Sequence, residues 1–374
     1  MPGYDSPLDL VREARVVAVP ARLPARARAR LWALLELALP GGMKDRVALR
    51  TIEDAEAAGL LAPGGVIVES SSGTMAEGLA RVGVPRGYRV VIVTDPRIDA
   101  LTLAKLRALG AEVDIVQEYE REGGWQSARL RRLRQLLDGL PGAFWSCQYD
   151  NPSNPRAYAE VGPELVAALG DGIAALVGTV GSGGSLCGVA ASLKPFVPEL
   201  RVVAVDAAGS VLFGQPDRRR LQSGHGNSIV PGNIDYGLID EVHWLCDGEA
   251  FAACRELARR TAIFGGGSTG ATWVVASWLA ERLAPSQQVV AIFPDRGERY
   301  YQTIYSDAYL EEHGLAGEAA GEEPARIRYG EETVERWSWA PLPRDGRTTY
   351  FTPGARTTAE IAGEFGLARA EVAR

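Results

Sequence analysis

The chain has 374 residues, 46% of them hydrophobic and 23% charged, which is enough to bury a large core and is most readily arranged as two domains. A net charge of -7 argues against the concentrated basic surface that nucleic acid or an anionic membrane would need. No apolar run reaches the roughly 18–20 residues that cross a bilayer, and MPGYDSPLDL lacks a basic and apolar leader, so a cytoplasmic protein is expected.

The first cationic run, RLPARARAR at residues 22–30, contains a proline and no aromatic residue, and is expected to be a solvated face or a helix start. LPGGMK at 39–44 puts a lysine in a Gly-Gly turn at the mouth of a helix. VIVE (66–69) is a buried strand, and the SSSG turn at 70–73 opens a helix to about residue 82. YRVVIVT (88–94) is the next strand, and Leu101, Leu103, Leu106 and Leu109 suit a helix ended by Gly110. EVDIVQ (112–117) is a third strand, and a helix around 126–138 leads to FWSCQY. A second set follows: the strand IAALVGT (173–179), a helix near 186–193, RVVAVDA (201–207), helices near 248–262 and 270–283, and QVVAIFPD (288–295).

Short apolar strands alternating with amphipathic helices imply an α/β fold with parallel sheets covered on both faces. The expected division is a smaller α/β domain at 40–157, a larger one from 1–39 and 158–312, and a C-terminal extension at 313–374 where AGEAAGEEPA resembles a linker. Four cysteines and three histidines show neither CxxC nor HExxH spacing, so no metal site is expected and the thiols read as reduced and mostly buried.

In open parallel sheets, ligands bind beyond the carboxyl ends of the strands, where loops lead into helix N-termini. GSGGS at 181–185 follows a strand and precedes a helix, so the backbone N–H groups of Ser182, Gly183, Gly184 and Ser185 can cup a phosphate. It is no P-loop, because no Gly-Lys-Ser/Thr follows, and no dinucleotide fingerprint, because Leu186 stands where the third glycine should fall. Gly265, Gly267 and Gly270 do match G-x-G-x-x-G, but a helix-like segment precedes them instead of a strand. That loop can instead offer the hydroxyl of Ser268 or Thr269 to a heteroaromatic nitrogen.

Only three lysines occur, Lys44, Lys105 and Lys194. The last two read as surface charges. One phosphate cup, one hydroxyl-bearing loop and one amine in an apolar glycine turn suit a cofactor with one phosphate, one pyridine ring and one aldehyde. That is pyridoxal phosphate, held by Lys44 as a Schiff base. Arginine cannot serve, because its guanidinium stays protonated, whereas burial lowers a lysine's pKa.

In order, GGMKDRVALRTIEDAEAAGLLAPGGVIVE, SSSG, QYDNPSNP, GSGGSLCG, GNSIVPGNID, GGSTGA and PDRGERY resemble segments of cysteine synthase and its relatives, over roughly residues 30–307. The resemblance implies the two-domain architecture of fold-type II pyridoxal phosphate enzymes, similar to the tryptophan synthase β-subunit, and a homodimer. It implies that Lys44 forms the Schiff base and acts as base, that Gly181 to Ser185 hold the phosphate and that Ser268 faces the pyridine nitrogen. Ser71, Ser72, Gly73 and Gln148 would bind the substrate carboxylate. A neutral hydroxyl at the ring nitrogen is expected to leave it unprotonated and to favour expulsion of a β-leaving group, giving an aminoacrylate. For the dimer, the apolar segments around Trp273 and Trp278 are expected to supply surface.

Two departures bear on the reaction. Where cysteine synthases carry T-S-G-N-T, this chain has Ser71-Ser72-Gly73-Thr74-Met75, so Thr74 stands at the cofactor where an asparagine is usual. Ala38-Leu39 stands in place of Asn-Pro. The expected activity is β-elimination or β-replacement on L-cysteine or an O-activated serine, leaning to breakdown of cysteine into pyruvate, ammonia and sulfide. The alternatives are cysteine synthesis, an amine nucleophile giving a 2,3-diaminopropionate derivative, and a catalytically silent binding protein, against which Lys44 and the phosphate cup argue. No Cys and His pair for haem is present near the N-terminus.

Overall fold

A computed structural model of the chain describes residues 6, 8–120, 124–344 and 349–367. Most of the residues read for a leader segment, 1–5 and 7, and the end of the C-terminal stretch, 368–374, lie outside them. The chain divides into two compact units. One takes Met1–Arg12, Leu39–Ala157 and Thr357–Arg374, and the other takes Glu13–Ala38 and Tyr158–Arg356.

In chain order, β1 (Val16–Ala18) and β2 (Arg30–Leu34) belong to the second unit. The first unit then holds α1 (Lys44–Ala57), β3 (Val66–Ser70), α2 (Thr74–Gly83), β4 (Arg89–Thr94), α3 (Ala100–Ala108), β5 (Glu112–Ile115), α4 (Gly124–Gly139), β6 (Phe144–Trp145) and α5 (Ser153–Arg156). The second unit resumes with α6 (Val161–Leu169), β7 (Ile173–Thr179), α7 (Gly184–Leu193), β8 (Arg201–Ala207), β9 (Glu241–Leu245), α8 (Asp247–Thr261) and α9 (Gly267–Ala280). It continues through β10 (Gln288–Ile292), α10 (Asp307–Glu312), β11 (Ala325–Arg326) and β12 (Ser338–Pro341), and α11 (Thr358–Glu364) returns to the first unit.

The first unit is built on a four-stranded parallel sheet in the order β5-β4-β3-β6. Its strands are the continuous apolar runs of the sequence, and Ile67, Val68 and Val90 to Val93 are buried because helices cover both faces. The Asp99 carboxylate starts α3 by accepting from the Thr102 N–H at 2.8 Å, and Gly110, at φ +86°, ends that segment. Of the four leucines read as suiting this helix, Leu106 is buried, Leu101 and Leu103 are half-buried, and Leu109 is the half-buried C-cap. Val68, Val91, Val93 and Leu133 form one core with Ala362 and Leu367 from the C-terminal stretch.

The second unit carries an eight-stranded sheet in the order β1-β2-β10-β7-β8-β9-β12-β11. The five central strands run parallel, β1 is antiparallel to β2 and β12 is antiparallel to β9. Residues 313–356, expected to extend beyond the domains, thus supply two strands to this sheet. The arginine run at 22–30 starts no helix; it passes through turns into β2, with Arg26 paired to Glu322 at 2.8 Å.

Helix α9 carries no charged residue, and each of its residues is buried, because it packs against β7, β10 and α8. This corrects the role expected for Trp273 and Trp278. Trp273 is fully buried with its Nε1 donating to the Pro20 carbonyl at 2.8 Å, and Trp278 donates to the Glu323 carboxylate at 2.8 Å. Neither offers surface to a partner. Among the described residues no helix is long and apolar enough to cross a membrane, and no cluster of His, Cys, Asp and Glu could hold a metal.

Candidate active site

The sequence-predicted residues divide between the units. Lys44, Ser71, Ser72, Gly73, Thr74 and Gln148 lie in the first, and Gly181 to Ser185 with Ser268 lie in the second. Ser71 to Thr74, Gln148 and Gly181 to Ser185 follow the carboxyl ends of β3, β6 and β7, whereas Lys44 and Ser268 stand in the first turns of helices that no strand of their own unit directly precedes.

In the first unit Lys44 opens α1 behind the Gly41-Gly42 turn, and Gly42 needs its freedom at φ +91°. The turn is tied down by Asp45, whose buried carboxylate accepts from the Gly41 N–H at 2.7 Å and pairs with Arg81 at 2.8 Å. Burial raises the Asp45 pKa, and Arg81 opposes that rise. Lys44 is only 8% exposed, and burial lowers its amine to about 8, near the range of a working base. Lys105 and Lys194 are half-buried and engaged elsewhere, with Glu77 at 3.6 Å and with the Leu200 carbonyl at 3.1 Å.

The loop from β3 into α2 holds Ser71 to Thr74. The Ser71 Oγ accepts from the Gly73 N–H at 3.3 Å, so the turn is closed by its own hydroxyl. Gly73 caps α2 without any side chain, which leaves first-turn N–H groups for a carboxylate. Thr74 is half-buried at the first helical position.

Gln148 follows β6, the neighbour of β3, and Glu69 organises that loop. The Glu69 carboxylate is buried and accepts from the Ser146 hydroxyl at 2.5 Å, the Gln148 N–H at 3.3 Å and the Ser70 N–H at 2.8 Å. Burial raises its pKa against those donors. Cys147, just before Gln148, sits at φ +46°, a strained conformation for a residue with a Cβ. Arg129 from α4 brings its guanidinium to 3.5 Å from the Ser72 hydroxyl and 3.1 Å from Asp95. Glu69 and Arg129 were missed in the sequence; a lone carboxylate ending an apolar strand was a signal for the first, whereas nothing local marks an arginine among the many on α4.

In the second unit, Gly181 to Ser185 bridge β7 and α7, and Gly183 at φ +85° forms the cap. A Cβ at Gly183 would stand 2.7 Å from Ile234, and one at Gly181 would stand 2.8 Å from the Gly224 carbonyl, so the loop is pressed against neighbours that admit only glycine. Ser182 and Ser185 are buried, and the first N–H groups of α7 lack intrahelical acceptors by construction. This cradle of donors fits one phosphate. Cys187, one turn on, is no nucleophile here, because burial pushes its thiol to about 12.

Ser268 is the second residue of α9 and is buried. The Gly224 loop joins it to the cradle: that loop's carbonyl faces Gly181, and a Cβ at Gly224 would lie 4.0 Å from the Ser268 Oγ. Thr269, the other hydroxyl considered, packs back onto Gly265 within 2.7 Å of a Cβ there. The Ser268 hydroxyl donates to Asp295 at 3.1 Å, and the Tyr300 hydroxyl donates to the same carboxylate at 2.6 Å. No strand precedes the Gly265 loop, since α8 ends at Thr261.

A family model described as pyridoxal-phosphate dependent enzyme matches residues 12–295. The chain is 41% identical over 292 residues to the N-(2-amino-2-carboxyethyl)-L-glutamate synthase of Ralstonia nicotianae, covering 78% of this chain and 86% of that one. Among solved structures it resembles a hydrogen sulfide-producing enzyme from Fusobacterium nucleatum, with 29% identity, a TM-score of 0.75 and coverage of 80% of this chain and 99% of the other. It also resembles the cysteine synthase of Entamoeba histolytica, with 25% identity, a TM-score of 0.76 and coverage of 85% and 96%.

Proposed function

The chain belongs to the pyridoxal-phosphate dependent enzyme family, and within it we propose that it catalyses a β-replacement joining an O-activated L-serine to the amine of a second amino acid. The observation that carries this reading is the 41% identity, across 86% of its length, to a synthase whose product name describes such a C–N bond. The half-buried Arg129 guanidinium, paired with Asp95 and within 3.5 Å of the Ser72 hydroxyl, supports it as a cation beside the loop that would hold an anionic substrate group.

The cofactor of the family is pyridoxal phosphate. Gly181, Ser182, Gly183, Gly184 and Ser185 would hold its phosphate, Ser268 its ring nitrogen, Lys44 its aldehyde carbon, and Thr74 would lie at its ring oxygen. When bound, it supplies the electron sink that eases loss of the α-proton and of a β-leaving group. Lys44, with its amine lowered to about 8 by burial, takes the α-proton. Ser71, Ser72 and Gly73 with Gln148 hold the substrate carboxylate on first-turn N–H groups and a loop braced by Glu69. In the net change the Cβ–O bond breaks with its electron pair going to oxygen, the amine nitrogen bonds to Cβ, and the proton shed by the amine balances the leaving group.

A second reading, β-elimination to pyruvate and ammonia, has Thr74 in its favour and a structural neighbour that produces hydrogen sulfide. The test is to incubate the holoenzyme with O-phospho-L-serine or O-acetyl-L-serine, with and without L-glutamate, other amino acids or sulfide, and to follow products by mass spectrometry. Formation of an N-linked product outpacing pyruvate supports replacement by an amine. Pyruvate alone, whatever nucleophile is added, overturns it in favour of elimination.

A further inference from the structure

The hydroxyl network behind Ser268 has a polarity that its neighbours dictate. A carboxylate accepts and does not donate, so the proton between Ser268 and Asp295, 3.1 Å apart, belongs to the serine. Tyr300 donates to the other carboxylate oxygen at 2.6 Å, and Ser223 in turn lies 3.3 Å from the Tyr300 hydroxyl. The arrangement is built into the backbone. A Cβ at Gly266 would collide with Asp295 Oδ1 and stand 2.5 Å from the Tyr300 ring, so glycine is what lets the carboxylate reach the first turn of α9. Ser268, Asp295 and Tyr300 are all buried, where competing water is scarce.

A serine has a single proton. With that proton committed to Asp295, the hydroxyl has only lone pairs to offer a group on its other side. We infer that Asp295 is a positioning residue which turns Ser268 into an acceptor, so that the heteroaromatic ring nitrogen facing Ser268 is bound as N–H, with the carboxylate as counter-charge one hydroxyl away. This rests on the reading that Ser268 faces the ring nitrogen, and it reverses the expectation that a serine there leaves the nitrogen unprotonated. The consequence for the reaction is a stronger electron sink than a bare serine provides.

Asp295→Asn is the informative substitution because it is nearly isosteric and inverts the polarity. The amide oxygen can keep the Tyr300 donor while the amide N–H2 points at Ser268, whose own proton is then released toward the ring. The experiment reconstitutes the apoprotein with pyridoxal phosphate isotopically labelled at the ring nitrogen and reads its nitrogen NMR shift in the wild type, D295N and S268A, each checked for fold by circular dichroism. A wild-type resonance at the pyridinium position that moves to the pyridine position in D295N supports the proposal. A wild-type resonance already at the pyridine position overturns it, even if neither variant folds. If the wild type is protonated and S268A leaves the shift untouched, the placement of Ser268 at the ring is what fails. If S268A moves the shift and D295N does not, Asp295 has no such role.

Discussion

The carbonyl oxygen of Lys44 lies 2.8 Å from the point where a β-carbon on Gly78 would stand. Helix α2 therefore meets the first turn of α1 backbone to backbone, and the lysine's own peptide is the surface it rests on. Gly78→Ala gains helix propensity but must push α2 off that turn. Overpacking of this kind costs about 1–3 kcal/mol. Urea unfolding should show the loss, and cofactor titration by fluorescence should show weaker loading, since the displaced peptide is that of Lys44. Wild-type values in both would mean that α2 yields without moving the lysine.

Lys44 also has a pH signature in the cofactor-free protein. Burial lowers its amine from 10.5 to about 8. A base whose pKa falls on folding destabilises the fold wherever it is protonated in both states, so the penalty is full below about 8, shrinks as pH rises and vanishes above 10.5. Lys44→Met should thus stabilise the apoprotein at neutral pH by up to roughly 3 kcal/mol, with the gap closing in alkaline melts. The same variant should be colourless and inactive with the cofactor added. A borohydride-reducible yellow adduct on Lys105 or Lys194 would refute the assignment of Lys44.

Glu69 gives a prediction that separates substrate binding from cofactor binding. Glutamine in its place has one acceptor oxygen, and its amide N–H2 would confront a donor among Ser146, Gln148 and Ser70. The Gln148 loop should loosen, raising KM about ten-fold, the worth of roughly one charged hydrogen bond. The yellow colour should persist. Loss of colour with unchanged KM would place Glu69 in the cofactor's support instead.

Thr74 bears on the choice between replacement and elimination. Its hydroxyl is shorter in reach and its β-branch stiffer than the asparagine usual in cysteine synthases. Losing one hydrogen bond at the ring oxygen is worth about 1–2 kcal/mol, or roughly ten-fold in partitioning toward pyruvate. Thr74→Asn should shift the ratio of replacement product to pyruvate upward by that factor with O-acetyl-L-serine as donor. An unmoved ratio removes Thr74 from the argument.

The apolar runs that form β3, β4, β7, β8 and β10 were legible because strands buried on both faces contain little else, and the loops Ser70 to Gly73 and Gly181 to Ser185 were legible because sheet and helix signals flank them. Strands β1, β2, β9 and β12 were not expected. β1 and β12 are short pieces at or near the sheet's margin, and Glu241-Val-His-Trp-Leu carries charge and imidazole that look like a loop until Trp337 and Trp339 close over His243. Trp273 and Trp278 were misjudged because an uncharged helix has the same composition whether it faces a partner or its own core. Asp295 and Tyr300 stood in a quoted motif without roles, since only the path of the chain past Gly266 shows which hydroxyl they address.

Gly270, lastly, is where α8 and α9 touch. A Cβ there would strike the Ala250 carbonyl and stand 2.6 Å from the Cys254 sulfur, so α9 meets the backbone and the Cys254 side chain of α8 with no side chain of its own at that point. Two turns of helix cannot slide or rotate on such a contact without opening a void. Ser268 is therefore held in place before any ligand arrives, and the entropy of fixing it is spent during folding instead of being subtracted from cofactor affinity.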